Sequence, residues 1–352
     1  MSVSSGRAIF KSNAQVGDIA VRFGVNTLRK LKRATAFAFA ILIGATLQPN
    51  MVLAQENAEF ASWVRGTLPL RLNAPDLSFL NHKPAGSKGR VQAAGEALVF
   101  EDGSPALFWG ANLQAYALFS TKPEFIRAHA KRIASLGYNL VRIHHHDSRW
   151  VNPNVFGHRS PVTTRLDSAA LAQLDAWIAA LKEEGVYIWL DLHVGRHFTE
   201  GDGIEDFSEI SKGESHASVT GFNYVSESIQ QDMLRFQDAY LRHVNTITGL
   251  AYAEDPAIIG VLITNENDLT HHFGNRLLPD KNVPAHSEIY MALAEEFAHA
   301  KGLDPDKTWR SWEHGPPKIF LSDLENHFFQ RMIAGVRASG FSGLIANTNS
   351  WG

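Results

Sequence analysis

Apolar runs that turn polar at one end recur along this chain, each separated from the next by a stretch with helical periodicity. The runs lie at 107–112, 140–145, 186–193, 258–264 and 344–348. They end in Asn112 and Gln114, in Arg142, His144, His146 and Asp147, in Asp191 and His193, in Thr264 to Asp268, and in Asn347 to Asn349. Between them, the spacing of Phe125, Ile126, Ala130, Ile133 and Ala134 predicts a helix over 123–136, and that of Leu171, Leu174, Ile178 and Leu181 one over 168–184. Further helices are expected at 226–245, 286–301 and 321–339, with Gly137, Gly185 and Gly340 as stops. Strands alternating with amphipathic helices give an α/β fold on a parallel sheet. No Gly-rich phosphate loop follows the first strand, which disfavours a doubly wound nucleotide-binding fold. Apolar strand bodies with polar C-terminal ends suit the mouth of a (β/α) barrel, where function collects at that end of the strands.

Composition narrows the chemistry. With 33 basic against 36 acidic residues the net charge is -3, which supports neither a nucleic-acid nor a polybasic membrane role. There is no cysteine, so disulfides, zinc thiolates, iron–sulfur ligation and cysteine nucleophiles are all excluded. Near the N-terminus, Arg29, Lys30, Lys32 and Arg33 precede an apolar run at 34–47 and then the small-residue site Val52, Leu53, Ala54. The run is short of the about 20 residues that span a bilayer. The pattern is that of a signal peptide over 1–54, which predicts a secreted or periplasmic protein, free of the membrane once the signal is removed. Segment 55–106 reads as an extension containing a β-hairpin, with a strand at 97–100, a turn at Asp102 and Gly103, and a return strand at 107–109. Residues 107–352 form the partial barrel.

Glu266 is the sharpest candidate for chemistry. It follows a strand with little polarity and shares a parity with Thr264, so both are expected to face inward. A carboxyl group held at an apolar rim has a raised pKa and can donate a proton to a leaving oxygen. Asn265 beside it suits a substrate hydroxyl. Alternation along 142–146 sends Arg142, His144 and His146 to one face. That face also permits a second reading, a metal-dependent hydrolase built on His144 and His146. Asp191 is placed to hold Arg142 or a histidine. Trp109, Tyr116, Trp150, Trp312 and Trp351 are candidate sugar platforms, and 199–215 reads as a solvated rim loop.

The Asn265-Glu266 pair at the fourth strand end resembles the acid/base signature of the clan of (β/α)8-barrel glycoside hydrolases that includes the cellulase-like family 5. Segments 108–112 (FWGAN), 136–142 (LGYNLVR) and 185–193 (GVYIWLDLH) resemble the same clan, over roughly residues 95–352. The resemblance implies a retaining glycosidase acting on a β-linked glycan, without cofactor or metal. Glu266 is then the acid/base, Asn265 binds the sugar 2-hydroxyl, Arg142 orients a nucleophile, and His193 lines the donor-sugar subsite. His144, His146 and Asn112 join as substrate contacts. The clan's nucleophile is a second glutamate at the seventh strand end. No sixth to eighth strand is found after 344–348, so the reading is a barrel of about five strands. On that reading the chain is a fragment, inactive alone. The alternative is a non-catalytic glycan-binding barrel remnant. Oligomeric state is left open.

Overall fold

The computed structural model describes residues 75–348. The signal peptide at 1–54, the first part of the extension, Asn349 and Trp351 lie outside the described residues.

The chain first forms an antiparallel hairpin of β1 (Val91–Ala94) and β2 (Ala97–Phe100). This corrects the expected pairing. The partner of 97–100 precedes it in sequence, and the return segment meets it only at the Val99–Pro105 bridge. Leu107 and Trp109 are exposed and outside any strand. The reason is Asn139. Its Oδ1 accepts from the Trp109 N–H (2.7 Å) and its Nδ2 donates to the Leu107 carbonyl (2.8 Å). The side chain thus takes up backbone groups that a ladder would use, and the first barrel strand starts at Gly110.

Five parallel strands follow: β3 (Gly110–Gln114), β4 (Leu140–His144), β5 (Tyr187–His193), β8 (Ile258–Thr264) and β9 (Leu344–Ala346). They lie side by side in chain order, with the helices Pro123–Ser135, Ser168–Glu183, Glu227–Leu241 and Pro316–Ala338 as successive crossovers. This is a partial (β/α)8 barrel. β8 is buried along its whole length, as a parallel strand covered on both faces must be. Asn112, Arg142, Trp189, Gly260 and Leu344 stand in register across the sheet. Gly260 is required there, because a Cβ would come within 2.4 Å of the Trp189 ring. The helix Ser168–Glu183 is capped by Asp167, whose carboxylate accepts from the Ala170 N–H (2.8 Å).

Two segments depart from this rhythm. Residues 194–226, after β5, contain β6 (His197–Thr199), the short helix Phe207–Ser211 and β7 (His216–Ser218), which pairs antiparallel with β6. Residues 265–315, after β8, contain a π turn at Leu269–Phe273 and the helix Pro284–Lys301. The solvated loop expected at 199–215 is therefore corrected. Phe207 and Ile210 are buried in a second apolar core with Phe222, Tyr224, Leu277, Tyr290 and Phe320. Among the described residues no helix is long and apolar enough to cross a membrane.

Candidate active site

Arg142 stands near the C-terminal end of β4 and gathers polar groups from the neighbouring strands. Its Nε donates to both oxygens of Asp191 (2.9 and 3.0 Å), and its Nη2 reaches Asp191 Oδ2 (2.8 Å) and donates to Asn265 Oδ1 (2.7 Å). Asp191 is 0% exposed and comes from β5, while Asn265 follows β8. The guanidinium therefore ties three neighbouring strands together at their C-terminal ends, with the planar fork geometry suited to a carboxylate. Because Asn265 accepts through Oδ1, its amide nitrogen is left as a donor. The Asn265 N–H donates to the His193 carbonyl (3.0 Å), which carries the strand pairing past β8 and fixes this residue.

His144 joins the same group. Its Nδ1 sits 2.5 Å from Asp191 Oδ2, so the proton is assigned to Nδ1 and the Nε2 lone pair is left as an acceptor. His145 then adopts a positive φ of 56°. Its ring turns onto Trp150 (4.9 Å between centroids) and its Nδ1 meets Ser148 Oγ (2.7 Å). Burial, followed by the neighbouring His144, holds its pKa below the usual histidine range. Trp150 is exposed and Tyr116 packs edge-on against it at 5.8 Å.

The positive φ at His145 breaks the alternation that placed His146 beside His144. His146 is 0% exposed, stacked on Tyr240 at 5.1 Å and 8°. Neither of its ring nitrogens has a hydrogen-bond partner, and burial pushes its pKa down. His146 is thus no substrate contact in this structure, and the metal reading that joined it to His144 loses its geometry. His193 is also buried. Its ring packs on Phe236 (5.1 Å), and burial, then the positive Arg196, takes its pKa well below the ordinary value. It borders a narrow cavity of about 40 Å³ shared with Asn265 and Asn267. Asn112 stands exposed opposite Arg142 in the ladder and makes no side-chain hydrogen bond among the described residues.

Glu266 follows directly. Its φ is 49°, a left-handed conformation uncommon outside glycine, so the alternation that runs through Thr264 ends before it. Thr264 Oγ1 donates to Asn347 Oδ1 (2.5 Å), and the Glu266 N–H donates to Thr348 Oγ1 (3.3 Å). The carboxyl group is exposed, and the apolar surround expected from the sequence is not found among the described residues. The positive φ is the physical reason: it turns the residue away from the buried body of β8. Asn267 and Asp268 are drawn off elsewhere. Asn267 bonds Asn223, and Asp268 accepts from the His271 and His272 N–H groups.

Sequence reasoning missed Asn139 and Gln237, whose amide lies 3.4 Å from His193 Nε2. It also missed the wall built by Arg196, whose guanidinium binds the Thr163 carbonyl (2.6 Å) and pairs with the buried Asp232. These contacts join residues far apart in the chain, and no local pattern marks them.

No protein-family profile matches this sequence. The chain is similar to Mannan endo-1,4-beta-mannosidase 3 of Oryza sativa subsp. japonica, with 26% identity over 183 residues, 50% of this chain and 37% of that protein. Similar solved structures include the endo-1,4-beta-mannanase of Rhizomucor miehei, at 17% identity and a TM-score of 0.40, covering 60% of this chain and 57% of that one. They also include a glycoside hydrolase family 5 protein of Bacteroides vulgatus, at 11% identity and a TM-score of 0.43, covering 77% and 41%. The chain spans little more than a third of the curated relative's length.

Proposed function

We propose that this chain carries part of the catalytic barrel of an exported glycoside hydrolase acting on a β-linked glycan with retention. The observation that carries the reading is the chain Asp191–Arg142–Asn265, which fixes an amide donor immediately before Glu266. Similarity to a mannan-degrading protein supports it and makes β-1,4-linked mannan the first substrate to test.

In this reading Glu266 donates its proton to the glycosidic oxygen. A second carboxylate, supplied from outside the described residues, attacks the anomeric carbon as the glycosidic C–O bond breaks. Glu266, now ionised, takes a proton from water, and the resulting nucleophile releases the sugar from the ester. Two carboxylates about 5–5.5 Å apart are what such double displacement requires. Asn265 holds a sugar hydroxyl through its amide nitrogen, and Arg142 keeps the amide oriented while adding positive charge near the reacting centre. The basic and apolar segments at 29–47 support the exported location.

The test uses protein expressed from the complete reading frame. Glu266→Gln is expected to lower turnover of mannan by about 10²–10⁴-fold while sparing the first-step burst with aryl glycosides whose leaving groups need no proton. Azide is expected to restore turnover of the Glu266→Ala variant and yield a glycosyl azide. Unchanged mannan turnover in Glu266→Gln overturns the assignment. Glycan binding with no product, from wild-type protein over long incubation, would instead identify a binding protein.

A further inference from the structure

The loops that follow β4 and β5 enclose a cavity of about 630 Å³, well within the range of small-ligand sites. Its walls are fixed by buried polar groups. Asp202 accepts from the Thr163 N–H (2.5 Å), the Thr163 hydroxyl (2.8 Å) and the Thr199 N–H (2.8 Å). The Thr199 hydroxyl donates to the Pro161 carbonyl (2.7 Å). Asp147 spends both oxygens on the N–H groups of Val194 and Gly195 (2.8 and 3.1 Å). Gly195 is packed so closely on Ser148 that a Cβ would lie 2.2 Å from its hydroxyl. The cavity therefore has its shape before any ligand arrives.

Two guanidinium groups without partners meet at this cavity. Arg142, Arg196, Arg235, Arg242, Arg310 and Arg331 each pair with a carboxylate. Arg149 and Arg159 line the cavity, and among the described residues neither guanidinium has a carboxylate or hydrogen-bond partner. The His197 and His216 rings stack at 5.6 Å and 24°, and His197 Nδ1 is buried without a partner. Burial and then nearby positive groups, Arg149 among them, lower the pKa of both imidazoles, so the charge in the cavity rests on the guanidinium groups. With Asp147 engaged by backbone, Glu200 is the other lining carboxylate, exposed at the edge. Two unpaired forks, an orphaned ring nitrogen and neighbouring amides and hydroxyls suit a carboxylate carried on a polyhydroxylated ring.

We infer that this cavity is a subsite for an anionic sugar residue, a uronic acid of the bound glycan, with its carboxylate on Arg149 and Arg159. The inference rests on reading the barrel mouth as glycan-binding, since the cavity is lined by the loops that follow the strands carrying His144 and His193.

Calorimetric titration of the full chain with a β-1,4-linked mannuronic acid trisaccharide and with neutral β-1,4-mannotriose tests it. The acidic sugar is expected to bind about tenfold tighter, with the difference shrinking as salt rises. Arg149→Gln and Arg159→Gln should each remove about tenfold of the acidic sugar's affinity and leave that of mannotriose unchanged. Both positions are exposed, so the variants should melt as wild type does. Equal affinities for the two sugars, or unaltered acidic binding in both variants, overturns the subsite. A sulfated trisaccharide binding tighter than the uronate would keep the anion site and reassign its substituent. Turnover by Glu266→Gln reads the catalytic assignment separately: acidic binding lost only on Arg149→Gln or Arg159→Gln stands whether or not Glu266 proves essential.

Discussion

The two apolar cores of this protein are held by different means. Around the sheet, Val141, Ile143, Ile188, Leu190 and Val261 are buried against helices, and ladder and helix bonds satisfy the backbone. In the second core short rim segments pack against the helices Pro284–Lys301 and Pro316–Ala338, and buried side chains answer the backbone of those segments where a ladder would. Asp202 gathers two backbone amides and a hydroxyl, Glu325 accepts from the Leu269 and Thr270 N–H groups, and Asn267 bonds Asn223. Irregular backbone can be buried only where something answers its polar groups. The lesson is that the rim segments are held by polar pins and the barrel by apolar contact, so the two should fail differently.

Arg196→Ala is expected to have the largest effect. It takes from Asp232 its buried partner, leaving only the exposed Arg235, and strips the Thr163 carbonyl of its donor, at a cost of about 3–5 kcal/mol. The damage should appear as protease cleavage within 199–218 before global unfolding. A melting point unchanged from wild type would break the comparison. Ile188→Ala, in the barrel core, should cost about 2–5 kcal/mol and lower the whole unfolding transition, with no early nick at the rim. Equal early cleavage in the two variants would mean that the cores are one unit.

Acid should act at the seam between them, where His146 and His193 lie against the helix Glu227–Leu241. Both have folded pKa values below the unfolded value, so the unfolded chain binds more protons as pH falls through about 6.5. Stability is then full above that pH and is lost on the acid side, by about 1.4 kcal/mol per pH unit for each proton, until the lowered folded pKa is reached. Thermal melts from pH 7.5 to 5 should show this limb, and His146→Leu should flatten it. An unaltered slope would mean that His146 is protonated in the folded state. The smallest effect belongs to Asp167→Ala, which removes a helix cap and should cost about 1 kcal/mol in a urea titration.

Legibility in the sequence follows the same division. The apolar run Ile258–Thr264 matches β8 residue for residue, and the helix Ser168–Glu183 was expected to within one, because periodicity carries both. The hairpin partner Val91–Ala94 and the helix Tyr116–Ser120 escaped, since neither is long enough to show a period. At the site, the line of Arg142, Asp191, His144 and Asn265 could be anticipated from strand-end positions. The burial of His146 could not, because it turns on one backbone angle at His145 that no residue type announces. Arg149, Arg159, His197 and His216 come together only through tertiary structure.

The engagement of Asp147 by Val194 and Gly195 has a dynamic consequence. With Gly195 seated on Ser148, the loops after β4 and β5 cannot slide past one another without giving up two charge-assisted bonds. Any opening or closing of the rim must carry them as a single rigid body. A ligand docking here meets a surface already ordered, so the entropy lost on association falls on the ligand more than on the protein.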